Sequence, residues 1–304
     1  MLYAPDDAAA QRGFDAAFGA MSRVDALLSD YRPDSELSRI NAAAGSGEWV
    51  RVSEGTLRVL RLARQVSMET GGAFDMTAGP AVALWRETRR SGVAPGELER
   101  ARAVALVDWR ALEVVGDAAR LHGRGMRLDA GGIGKGHAVG EALKAVEGLG
   151  LGRCLVSLAG DVGAGEAPPG QPGWRVRVSA NRDDSAGVLW LRRACASTSG
   201  DAEQFVEIDG VQYSHIVDPR TGMGLTHGMA VTVVAREGAV ADAMATALCV
   251  MGPERAREFA SRRRGFSAIL HEPGEEPVVI NGAGLIELAQ PSSGVQAPED
   301  APLR

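Results

Sequence analysis

Apolar residues recur at steps of three and four through Phe14, Phe18, Met21, Val24 and Leu28, which predicts a helix with one apolar stripe, ending at Ser29. The polar stretch SDYRPDSELSRIN follows, where Asp34 or Ser35 can cap a short helix over Glu36–Ile40. A second long helix is predicted over Glu54–Met68, stopped by Gly71-Gly72. Residues 111–128 read as β-structure turned at Gly116-Asp117 and continued in MRLD. Behind a glycine loop, 129–136, the run His137–Val146 has helical character. Short strands follow in CLVSL, WRVRV and VLWLRRA, and QFVEIDGVQYSHI reads as a hairpin with Asp209-Gly210 at its turn. MAVTVVA is a strand, Val240–Val250 and PERAREFASRR are helices, and FSAIL and PVVIN are closing strands. Strands cluster in hairpins between helices, so the class is α+β rather than a regular βαβ array. Beyond Leu288 the sequence has too little apolar content to pack and is expected to be a disordered tail.

Composition narrows the function classes. With 45% hydrophobic and 24% charged residues in 304, the chain is ordinary globular material. A net charge of −6 argues against a nucleic-acid partner, which needs a basic face. No apolar run reaches the eighteen or so residues of a membrane span. Cys154, Cys195 and Cys249 lie far apart in apolar stretches, without metal-ligand spacing, and read as buried thiols. The first residues have neither a basic n-region nor an apolar h-region, so no secretory signal is expected and the chain as given reads as cytoplasmic. Only two of the 33 basic residues, Lys135 and Lys144, are lysine. A lysine inside a glycine cluster therefore suggests that a compact ammonium is wanted there.

Several segments can carry chemistry. Gly131, Gly132, Gly134 and Gly136 free the backbone for close approach, and with Lys135 at a helix start they suit a phosphate. The loop fits neither a Walker A motif nor a dinucleotide fingerprint, and a tight strand-to-helix turn is the plain alternative. Asp242 and Thr246, four apart on an apolar helix, share a face and suit a hard cation such as Mg²⁺; local hydrogen bonding is the competing account. His215, at a strand end before Asp218-Pro219, is a candidate general base or a structural histidine. Thr70–Pro80 reads as a glycine turn carrying Phe74 and Asp75, and Ser197–Asp201 as a polar turn after a strand.

The order of these segments is more informative than any one of them. LLSDYRPDSELSRIN, TGGAFDMTAGPAVALW, RLDAGGIGKGHAVGEAL, STSGDAEQFVEIDGVQYSHIVDPRTG and TVVAREGAVADAMATALCVMG occur in an order that resembles the FAD:protein FMN transferase (ApbE) family, over roughly Tyr3–Gly284. The resemblance implies a single domain over 1–288, with 289–304 as tail, built from antiparallel sheets flanked by helices around an FAD cleft between lobes. It implies an enzyme that splits FAD with Mg²⁺, releases AMP and joins FMN by a phosphoester to a Thr or Ser of an acceptor flavoprotein bearing an Asp-Gly-x-Ser/Thr-Gly-Ala-Ser/Thr-like motif. In that comparison Asp242, Thr246 and the Gly132 carbonyl match the metal site, with Ala245 close to it. Tyr31, Ala73, Phe74, Asp75, Asp129, Lys135 and Ile216 match flavin-nucleotide contacts, and His215 matches the base. An FAD pyrophosphatase and a non-catalytic FAD-binding protein share these contacts. Two positions depart from the pattern: Ala159 stands where a second glycine is common, and Ala202 where an aromatic is frequent.

Overall fold

The computed structural model describes residues 1–178, 187–200 and 204–289. The expected tail, apart from Ala289, and the positions Asp201 and Ala202 lie outside them.

The chain opens with α1 (Asp7–Leu28), capped by the Asp6 carboxylate, which accepts from Ala9 N at 2.7 Å. It ends where the pattern does, and Val24 and Leu28 are buried as expected with Met21 half-buried, but towards its start the buried face differs. Ala9, Gly13, Ala20, Val24 and Leu28 point inward, while Phe14 and Phe18 are exposed. The reason is close packing: a Cβ at Gly13 would stand 2.8 Å from a Leu2 methyl, so no large residue fits at that point of the seam. Next come α2 (Glu36–Ala42), capped by Ser35, β1 (Val50–Arg51) and α3 (Glu54–Glu69), capped by Ser53.

Two helices appear where no helix was expected: α4 (Gly79–Ser91) and α5 (Glu97–Val104). α4 starts on Pro80 in its first turn and ends on Gly92 at φ +71°, which are ordinary helix boundaries. The hairpin β2 (Leu112–Val115) and β3 (Ala118–Leu121) forms as expected and takes β1 on its far edge. MRLD does not continue it as a strand; Arg127 makes a single bridge to Ala78.

The centre is α6 (Gly134–Glu147) and α7 (Gly238–Met251) against a six-stranded sheet. Its strands are β4 (Leu155–Leu158), β5 (Asp161–Ala164), β8 (Ala194–Ser199), β11 (Ala230–Ala235), β12 (Phe266–His271) and β13 (Val278–Ile280). They lie in the order β13-β12-β11-β8-β5-β4, every neighbour antiparallel. Between β5 and β8 the chain makes a separate pair, β6 (Trp174–Arg177) with β7 (Val188–Leu191); β9 (Phe205–Ile208) and β10 (Val211–Ser214) form the expected hairpin. α8 (Pro253–Ser261) covers the end of the sheet beside β12 and β13. α7 is buried on nearly every side, as its unbroken apolar sequence requires, and Thr246 and Val240 are its partly exposed positions. β5 was not expected from the sequence, and Ser197–Ser199, read as a turn, belong to β8 itself.

All three cysteines are buried, as expected. Burial pushes the Cys154 thiol up to about 11 and that of Cys195 up to about 12, so both stay protonated at neutral pH.

The β4–β5 turn places Ala159 at φ +45°, a left-handed conformation that favours glycine. Ala159→Gly is therefore expected to stabilise the fold by about 0.5–1 kcal/mol, the relieved strain being partly offset by the freer unfolded chain. A denaturant titration checks this; an unchanged or lowered midpoint would contradict the strain.

Candidate active site

A cleft of about 1000 Å³ opens where α1, α4, the glycine loop, α7, the end of β8 and the segment after β10 converge. At its floor α6 and α7 approach more closely than side chains would permit. A Cβ on Gly136 would lie 2.1 Å from the Gly238 carbonyl and 2.7 Å from Asp242 Cβ. This contact brings the glycine loop to the metal-helix candidates: Gly136 N donates to Asp242 Oδ2 at 3.0 Å. A Cβ on Gly132 would stand 2.9 Å from Thr246 Oγ1, so the Gly132 backbone lies directly against that hydroxyl.

Lys135 reaches from the first turn of α6 to two buried carboxylates. Its Nζ lies 3.2 Å from Asp242 Oδ1 and 3.5 Å from Asp161 Oδ2, and donates to the Gly131 carbonyl at 3.3 Å. Burial pulls the Lys135 pKa down, but the charges of Asp242 and Asp161 outweigh it and hold the ammonium well above its ordinary value. For Asp161, burial and then the Asp242 charge push the carboxyl up to about 8. Asp161 Oδ1 accepts from Ser197 Oγ at 2.5 Å, while Oδ2 is buried without a hydrogen-bond partner. Ser199 Oγ and Thr246 Oγ1 are 3.3 Å apart.

Among the described residues no three His, Cys, Asp or Glu side chains form a ready metal cage. What is present fits a hard divalent cation held by one or two carboxylates and completed by substrate oxygens. The donors are all oxygen, from Asp242, Thr246, Ser199 and the Gly132 backbone. Ala245 does not join them; it is fully buried in the core and does not line the cleft.

The other expected residues sit around the same cleft. Tyr31 is 79% exposed at the rim, whereas Ala73 and Phe74 form a buried wall. Asp75 lines the wall, but its carboxylate is used internally: Oδ1 accepts from Thr77 N and Oγ1, and Oδ2 from Trp109 N. Asp129 Oδ1 accepts from Gly131 N at 2.8 Å, and Arg86 donates to Oδ2 at 2.6 Å. Ile216 is nearly buried; its N–H donates to Ser214 Oγ and its carbonyl accepts from Leu225 N.

His215 stands just past β10. Its backbone N–H donates to the Gln204 carbonyl at 3.0 Å, and its Nδ1 lies 3.0 Å from the same oxygen. In the tautomer that donates through Nδ1, the lone pair is on Nε2. α4 anchors this hairpin: the buried Trp85 stacks on Tyr213 at 5.1 Å and donates Nε1–H to the Gly222 carbonyl at 2.7 Å. Arg89, one turn further on, donates to Gln204 Oε1 at 2.8 Å.

Sequence reasoning missed Asp161, Ser199 and Arg86, whose guanidinium also pairs with Asp30 after α1. The Gly160-Asp161 pair was visible, but nothing in its spacing links it to Lys135 or Asp242.

A deep cleft with a glycine loop, a lysine at a helix start, paired buried carboxylates and a histidine across the opening defines an enzyme site for a phosphate-bearing nucleotide. Comparison with known proteins agrees. The model of the ApbE family matches residues 2–270. The FAD:protein FMN transferase of Klebsiella pneumoniae (strain 342) is 32% identical over 257 residues, covering 81% of this chain and 73% of that protein. That of Vibrio cholerae is 33% identical over 247 residues, covering 79% and 73%. Among solved structures, the apo flavinyl transferase ApbE of Pseudomonas stutzeri superposes with a TM-score of 0.80 at 29% identity, covering 90% of each chain. The flavin transferase ApbE of Vibrio cholerae superposes at 0.84 and 26% identity, covering 94% of this chain and 93% of its own. This chain belongs to the ApbE family.

Proposed function

We propose that this protein is an FAD:protein FMN transferase. It splits the FAD pyrophosphate, passes the FMN half to a Thr or Ser hydroxyl of an acceptor protein and releases AMP. The acceptor carries an Asp-Gly-x-Ser/Thr-Gly-Ala-Ser/Thr-like motif. The observation that carries this reading is the convergence of Lys135, Asp242, Thr246, the Gly132 backbone and His215 on one nucleotide-sized cleft.

In this reading phosphoryl transfer needs the anhydride held in line and its developing charge neutralised, with little covalent help from the protein. Lys135 supplies a fixed positive charge, kept protonated chiefly by Asp242. Asp242, Thr246 and the Gly132 carbonyl would hold a magnesium ion, which would supply further neutralisation of phosphate charge. Phe74 and Ala73 close the apolar wall, Tyr31 offers a ring face at the rim, and Asp129 accepts from an N–H of the nucleotide. Ile216 lines the opposite side next to His215. His215 Nε2 takes the proton from the acceptor hydroxyl.

The test is a mass measurement. Protein, FAD, Mg²⁺ and an acceptor domain bearing the motif are expected to give an acceptor heavier by one FMN unit, with AMP in equal amount. FMN and AMP without adduct would favour the pyrophosphatase; bound FAD without AMP would favour a binding protein. His215→Ala is expected to slow transfer by about 10²–10⁴-fold and leave FAD affinity unchanged. Equal transfer rates in variant and wild type would remove His215 from its role.

A further inference from the structure

Arg86 has no part in the proposed reaction so far, yet its side chain engages three residues of the cleft wall. It projects from α4 and is about a quarter exposed. One arm of its guanidinium pairs with Asp30, in the turn after α1, and the other donates to Asp129 Oδ2 at 2.6 Å. Both aspartates are about nine-tenths buried at their side chains. Arg127 also reaches Asp30, at 3.4 Å. The Arg86 carbon Cζ lies 5.2 Å from the centre of the Tyr31 ring, within cation–π range. One planar cation thus fixes a carboxylate and an aromatic ring that belong to different segments and face the same cleft.

We infer that Arg86 is a positioning residue for the ring end of the nucleotide: it holds the Asp129 carboxylate and the Tyr31 ring as a joined seat for a planar heterocycle with an N–H donor.

The chemistry follows from the fork. Burial leaves the Asp129 pKa raised on balance, with the neighbouring Arg86 charge working against that rise, and it is the Arg86 arm on Oδ2 that orients the group. With the guanidinium on one side of Tyr31, the ring is held while its exposed side is offered to a stacking partner. A lysine could reach one carboxylate but could not span Asp30 and Asp129 while lying against the ring.

This inference rests on the proposed transferase reading, since the seat is for the isoalloxazine or adenine ring of FAD. The experiment is equilibrium titration with FAD, with FMN and with ADP, alongside saturating turnover, for wild type, Arg86→Ala, Arg86→Lys, Asp129→Asn and the Arg86→Ala/Asp129→Asn double variant. Arg86→Ala is expected to weaken FAD binding about tenfold, with saturating turnover within about twofold of wild type. Arg86→Lys should fail to restore affinity, and the double variant should bind no more weakly than the weaker single one. The half-nucleotide whose affinity falls with that of FAD identifies the seated ring. Unchanged FAD affinity in Arg86→Ala with a lowered unfolding midpoint would overturn the inference in favour of a purely structural tie. Additive losses in the double variant would overturn it too, because Arg86 would then not act through Asp129. Wild type that binds FAD but releases no AMP would defeat the transferase reading while leaving the affinity comparison intact; wild type that does not bind FAD would defeat both.

Discussion

Asp242→Ala is expected to abolish both AMP release and FMN transfer, with a loss on the order of 10³-fold or more in turnover. Asp242 does three things at once. Its Oδ2 accepts from Gly136 N, its Oδ1 meets the Lys135 ammonium, and it shares a helix face with Thr246. Alanine removes the proposed cation ligand and the main charge that holds Lys135. Removing one partner of a buried ion pair costs about 3–5 kcal/mol, so part of the loss could be misfolding. Asp242→Asn resolves this, because an amide oxygen can still accept from Gly136 N while offering a much poorer cation ligand. Its unfolding midpoint should lie nearer wild type, with activity still lost. AMP release at the wild-type rate in folded Asp242→Asn would take the cation away from this helix.

Gly136→Val tests the floor of the cleft. No side chain fits between Gly136 and Gly238, where a Cβ would meet a backbone carbonyl at 2.1 Å. The two helices must separate, and overpacking of this kind costs about 3 kcal/mol or more. For a protein of this size that corresponds to a fall in Tm of roughly 5 °C or more. Activity should fall even at temperatures where the variant is folded, because the same displacement moves Asp242 from the glycine loop. Gly140→Ala, one turn further along α6, provides the contrast. Its nearest neighbour would be 3.8 Å away, so alanine should be neutral or stabilise by up to about 1 kcal/mol through helix propensity. A Gly136→Val protein as stable as wild type would refute the packing argument.

How far the sequence revealed this molecule varied with the kind of signal. The hairpin at Asp209-Gly210 and the helix over Glu54–Glu69 were legible because turn residues and caps act locally. α1 was found by its period and the burial of Val24 and Leu28 was legible, but its first half was misassigned, since Phe14 and Phe18 outrank Ala and Gly in hydrophobicity while close packing at Gly13 selects small residues. α4 was passed over because Gly79-Pro80 reads as a breaker, although proline in a first turn is a start signal. The hydroxyls of β8 read as a turn because their strand borders a polar cleft, where alternation is lost. At the site, Lys135, Asp242, Thr246 and His215 stood out by local context. Asp161 and Arg86 did not, since each acquires its meaning from partners dozens of residues away.

The all-antiparallel order of the central sheet has a consequence for how the enzyme comes into being. β5 waits for β8 and β8 for β11, and the Gly136–Gly238 contact joins positions about a hundred residues apart in sequence. Such non-local pairings are slow to form, since a long loop must close before any contact rewards it. A nascent chain that has emerged only as far as the glycine loop holds Lys135 with neither of its carboxylate partners. Lys135, Asp242 and Thr246 therefore meet only once α7 has docked on the glycine loop.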